Sequence, residues 1–82
     1  MRVEYDPSAD ALYVNFSEEP FAYSEDLSRG KQYERGVDYA ADGTPIGVEF
    51  LNASRGVDLT AIPRADEIAT ALERVRGIRV LA

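Results

Sequence analysis

The sequence contains no cysteine, no histidine and no tryptophan. Without cysteine there is no disulfide, thiol nucleophile, cysteine-based zinc site or iron–sulfur cluster. Without histidine the commonest general base and the commonest transition-metal ligand are both missing. No apolar run approaches the roughly 18 residues of a membrane span, and the opening segment MRVEYDPSAD lacks the layout of a secretory signal. The expected compartment is the cytoplasm of a bacterium or archaeon. Internal repeats, low-complexity tracts and linkers are lacking too. Its 82 residues are expected to form one domain over 1–82, since a chain of this length cannot build two hydrophobic cores. Apolar residues at 45% and charged residues at 29% place it among folded chains, not disordered ones.

Positive charge is scarce as well. The net charge is −6, and it is spread unevenly: residues 1–49 hold eleven acids against four bases, whereas residues 50–82 hold four acids and five bases. Nucleic-acid binding runs on Lys and Arg contacts to phosphate, so a field of this sign excludes nucleic acid as the expected partner. It favours a protein partner with a basic surface. Solubility of a small domain is the plain alternative for the same charge.

What is present is a series of short alternating segments. Residues 2–5 place Val3 and Tyr5 on one side, and Asp6-Pro7-Ser8 supplies a turn in which Asp6 can cap the backbone beyond it. Residues 11–16 send Leu12, Val14 and Phe16 inward and Tyr13 and Asn15 outward. After the break at 17–20, residues 21–27 align Phe21, Tyr23 and Leu27, but Glu25 falls on their face. A bulge, an edge position or a shorter strand resolves that conflict. Following a turn at 28–31, residues 33–40 form a strand. Asp42-Gly43 is a hairpin signal, because glycine accepts the positive φ of a tight reversal. Residues 45–51 then direct Ile46, Val48 and Phe50 inward.

The periodicity changes beyond Asn52. Ile68, Leu72 and Val75 recur at helical spacing, with Asp66 and Glu67 near the start and Arg74 and Arg76 near the end, which predicts a helix over 64–76 stopped by Gly77. A short terminal strand is expected at 78–81. The fold class is therefore α+β: an antiparallel β-meander sheet of four to five strands over 2–51, packed by one C-terminal α-helix. One helix covers one sheet face. The other face, carrying Tyr13 and Gly47, is left to water or to a second copy of the chain.

The constellations that carry chemistry are thin. Glu34 and Asp38 lie four apart and share a face of a regular strand, yet acid–base work needs burial to split two carboxylate pKa values, and nothing in the pattern places them in a pocket. The segment from Asp38 to Gly43 lacks the ligand density and closing Glu of a calcium loop. The five serines come without a G-x-S-x-G elbow, and the glycines do not form a phosphate-binding loop. Five tyrosines supply most of the rigid amphipathic surface. An enzyme is not expected, nor is any catalytic, cofactor-binding or metal-ligating residue. The expected partner-binding residues are Tyr13, Tyr33, Glu34 and Asp38.

Two stretches carry a family resemblance. Tyr5-Asp6-Pro7-Ser8-Ala9-Asp10-Ala11-Leu12-Tyr13 follows the pattern Y-D-x-x-x-D-A-L-Y, and Gly47-Val48-Glu49-Phe50-Leu51-Asn52-Ala53-Ser54 follows G-x-E-[IF]-L-x-A-S. Together they resemble the small prokaryotic family called domain of unknown function 2283, over residues 3–56. The resemblance implies a β-meander without established catalytic residues. It also implies a regulatory role, because relatives look like the antitoxin-side partners of small basic RelE-like toxins, ribonucleases whose RNA-binding surface an acidic partner can occlude. The alternative left open is a self-associating structural or small-ligand-binding domain, a homodimer for instance, with no toxin partner.

Overall fold

A computed structural model of the chain describes residues 1–28, 34–75 and 77–81. Five strands form one antiparallel sheet: β1 (Arg2–Asp6), β2 (Ala11–Asn15), β3 (Tyr23–Asp26), β4 (Arg35–Tyr39) and β5 (Pro45–Leu51). The alternation anticipated for these segments is the one observed, with Leu12, Val14, Val37, Val48 and Phe50 fully buried on one face. The hairpin after β4 closes at Gly43, whose φ of 87° places it in the left-handed region. Ala40 donates its N–H to Thr44, and the Asp42 carboxylate accepts the Thr44 N–H at 3.0 Å. Asp6 plays the capping part expected of it, accepting from the Ser8 backbone at 3.0 Å and the Ser8 hydroxyl at 2.7 Å.

The sheet order is β1-β2-β5-β4-β3. Up-and-down neighbours are kept within β1–β2 and within β3–β4–β5, while the link from β2 to β3 carries the chain across to the far edge. That single long connection makes β5 the central strand and gives β2–β5 a Greek-key order. In β5, Ile46, Gly47, Val48 and Phe50 are buried, and Glu49 is exposed. The conflict at Glu25 is resolved by two of the anticipated routes: β3 is short, running only Tyr23–Asp26, and it is an edge strand with every residue exposed. There the Tyr39 hydroxyl donates to Glu25 at 3.0 Å, and the Tyr23 and Tyr39 rings stack with centroids 5.0 Å apart. The expected turn at 29–31 and Tyr33 lie outside the described residues.

Helix α1 (Ala65–Leu72) buries Ile68 and Leu72 against the sheet. Each contributes about 2 kcal/mol of hydrophobic stabilisation. The helix is shorter than the 64–76 expected from periodicity. Arg64 stands at its N-cap with a left-handed φ of 58° and cannot continue helical geometry backward. At the other end Arg74 and Val75 donate to Ala71 and Leu72, three residues back, so the last turn tightens and the ladder ends. Arg74 therefore follows the helix, and Arg76 lies outside the described residues. Val75 still packs against the core, as its spacing suggested.

The short terminal strand expected at 78–81 is present over its last two residues. Strand β7 (Val80–Leu81) does not extend the main sheet. It runs parallel to β6 (Val57–Asp58), a two-residue strand with no alternation to announce it. Gly56, at φ 125°, leaves room there for the Leu81 side chain. No helix among the described residues is long and apolar enough to cross a membrane.

Candidate functional site

The sheet face opposite α1 carries a depression of about 290 Å³. Its builders are even-numbered residues of β3 and β4 and odd-numbered residues of β2 and β5, which the pleat and register turn to this side. Tyr13 reaches from β2 across the whole width of β5 and donates its hydroxyl to Asp38 on β4 at 3.0 Å. The other Asp38 oxygen accepts the hydroxyl of Ser24 on β3 at 2.8 Å. A single polar chain thus links side chains of three strands, β2, β4 and β3, and spans β5 between them. The crossing is open because position 47 is glycine; a side chain there would overlap the Tyr13 ring.

Asp26, Glu34 and Glu49 line the same depression, and Glu25 borders it through its backbone while its side chain turns to Tyr39 on the other face. The Tyr13 hydroxyl is pushed up to about 12, first by burial and then by its bond to Asp38 and the negative charge there, so the phenol stays protonated through the neutral range. Asp26 is held below the usual carboxylate range by the hydroxyl and backbone N–H of Ser28. Among the described residues no three carboxylates come close enough to share a metal ion. What the depression offers is a concave negative surface with one rigid aromatic body at its side.

Of the four residues singled out from sequence, the structure brings Tyr13, Glu34 and Asp38 to this one depression, whereas Tyr33 lies outside the described residues. Ser24, Gly47 and Glu49 were missed. Gly47 carried a usable signal: a glycine inside an otherwise β-branched and aromatic strand marks a close approach of something else. Ser24 carried none, because its role depends on pairing with Asp38 fourteen positions away.

Arg35 was also unforeseen. It is 4% exposed, and its guanidinium donates to the backbone carbonyls of Leu27, Asp58 and Thr60. It fastens the segment after β6 to the end of β3 from the helix side of the sheet, and the Asp58 carboxylate lies 3.9 Å away.

A second cluster holds the chain ends of the sheet in place. Asp10, at φ 51°, accepts the Tyr5 hydroxyl at 2.7 Å, the Ser54 N–H at 2.8 Å and the Ser54 hydroxyl at 2.6 Å. Its backbone carbonyl accepts from Ala53 at 3.1 Å. The carboxylate of Asp10 is held below its usual range chiefly by Ser54 and Tyr5. This clasp joins the β1–β2 turn to the 3-10 turn after β5, so the two sequence stretches that carry the family pattern meet in space. Tyr5, Asp10 and Ser54 hold the fold, while Tyr13 and Gly47 shape the open face.

No curated protein and no solved structure matches the chain. The family described as protein of unknown function (DUF2283) matches over residues 2–54, which spans all five strands of the main sheet and the clasp. With more than half of the chain inside that match, the protein belongs to the DUF2283 family.

Proposed function

We propose that the chain is a non-catalytic, cytoplasmic binding module whose open sheet face receives a basic protein surface. The observation that carries this reading is the depression beside Tyr13, where Asp26, Glu34, Asp38 and Glu49 gather on the face opposite the helix. Carboxylates along a concave surface concentrate negative potential and steer a cationic partner into register. Tyr13 adds a rigid, largely apolar body of the kind that anchors interfaces. The groups present suit recognition better than bond-making: the phenol stays protonated, both Asp38 oxygens accept hydroxyls, and histidine and cysteine are absent. The finer form of the proposal, drawn from the family resemblance, makes the partner a small basic RelE-like ribonuclease whose RNA-binding surface this face covers.

Affinity capture from the native host at low and high salt tests this reading, followed by titration of the captured protein. A basic protein is expected at low salt and lost at high salt. Its affinity is expected to fall about tenfold for the Glu34→Gln/Glu49→Gln double variant, and a RelE-like partner loses RNA cleavage on mixing. Capture of no basic protein at low salt, or an affinity that ignores the double variant, overturns it.

A further inference from the structure

The sheet has two open edges, and they differ in charge pattern. Strand β3 presents Glu25 and Asp26 with no base between Tyr23 and Asp26, so a second copy of the chain brings acid against acid there. Strand β1 instead reads Arg2-Val3-Glu4, with the two charges on one face and Arg2 bonded to Glu4 at 3.0 Å.

The hydrogen-bond pattern says which residues of β1 are available for pairing. Phe16 donates to Ile46, so the even-numbered residues of β2 turn their backbone groups to β5 and the odd-numbered ones to β1. With Arg2 opposite Asn15 and Glu4 opposite Tyr13, the N–H and C=O of Val3 and Tyr5 face the free edge. Two copies related by a twofold axis at Val3 exchange both bonds between their Val3 residues. This register places Arg2 opposite Glu4 of the second copy, and Glu4 opposite its Arg2, at the closer spacing of a non-hydrogen-bonded pair. Shifting the axis to Glu4 pairs Arg2 with Asp6 but sets Glu4 against itself, and shifting it to Tyr5 sets Glu4 against Asp6. Of the three, only the Val3 register opposes unlike charges without also setting acid against acid.

The helix side of the same edge agrees with it. A groove of about 600 Å³ runs between Met1 and Val3 on one wall and Asp66, Thr70, Ala71 and Arg74 on the other. Met1 is 49% exposed. Antiparallel pairing at β1 brings this groove, with its exposed Met1, beside the same groove of the second copy.

We propose that β1 is a homodimer edge: two chains pair antiparallel through Val3, forming one continuous ten-stranded sheet and leaving the acidic depression open on each copy. Because this surface is separate from that depression, the two proposals fail independently.

Sedimentation equilibrium on the full chain tests it with charge reversals at exposed positions. The wild type is expected to sediment as a dimer. Arg2→Glu and Glu4→Arg each oppose like charges twice across the axis and are expected to weaken association about tenfold or more. An equimolar mixture of the two variants restores complementarity and is expected to form a heterodimer, and the double variant Arg2→Glu/Glu4→Arg to recover the homodimer. Val3→Pro, which removes an outward-facing N–H, is expected to be monomeric with the β1–β2 ladder kept. A wild type that stays monomeric at millimolar concentration overturns the proposal. So does a dimer indifferent to both reversals, or a mixture that stays monomeric.

Discussion

The ring of Tyr13 lies over Gly47, occupying the space a β-carbon at position 47 would need. The bond from a tyrosine on β2 to an aspartate on β4, across the strand between them, depends on this contact.

Gly47→Ala is expected to expel the ring, break the bond to Asp38 and lower stability by about 1–3 kcal/mol in urea unfolding. Combining it with Tyr13→Ala removes the clash, so the double variant is expected to be more stable than the sum of the single losses predicts. Strict additivity would show that the ring and the glycine do not interact.

Alkaline stability follows from the same hydroxyl. Tyr13 has its folded pKa raised to about 12 from 10.0, and Tyr5 and Tyr39 are raised as well. The folded state therefore holds these protons more tightly than the unfolded chain. Their contribution is complete below pH 10 and is lost as pH rises through the folded values. Unfolding midpoints measured across pH 9 to 12 are expected to fall, with Tyr13→Phe showing a shallower decline.

The clasp gives the opposite dependence. Asp10 has a lowered pKa, so its contribution is present above the ordinary carboxylate value of 3.8 and is lost as pH falls through the folded one. Asp10→Asn is expected to lower stability at neutral pH and to flatten the decline in acid, and Asp10→Ala to cost more than Ser54→Ala or Tyr5→Phe, since it removes the acceptor both share. Urea midpoints for the four variants provide the ranking.

Arg35 makes a mechanical prediction. Arg35→Ala removes a buried guanidinium that donates to three carbonyls and is expected to cost about 3 kcal/mol. Arg35→Lys, with one ammonium in place of a planar fork, is expected to recover only part of it. Hydrogen exchange should speed up selectively around residues 57–60 and β7, the elements that Arg35 and β6 hold; a uniform change across the sheet would count against this role.

Local order was legible from the chain alone. The alternation of Leu12 with Val14 and of Ile46 with Val48 and Phe50 identified strands and their buried faces, because a strand's side-chain period is independent of its neighbours. The Asp42-Gly43 reversal, the Asp6 cap and the buried stripe of Ile68 and Leu72 were legible for the same reason: each is decided within a few residues. Charge was legible too, including its concentration before residue 50.

What only the tertiary structure decided is which strands became neighbours. Placing β5 between β2 and β4 is what puts Tyr13 within reach of Asp38, 25 positions along the chain, and turns Gly47 into the gap between them. The same holds for Arg35, whose acceptors at Asp58 and Thr60 are brought to it by the segment after β5, and for β6, which is a strand only because β7 returns beside it. The absence of cysteine and histidine determined which chemistries this chain lacks. The strand order determined where its acids and its tyrosine stand, because loop closure and packing, not local propensity, select among pairings the sequence leaves equally open.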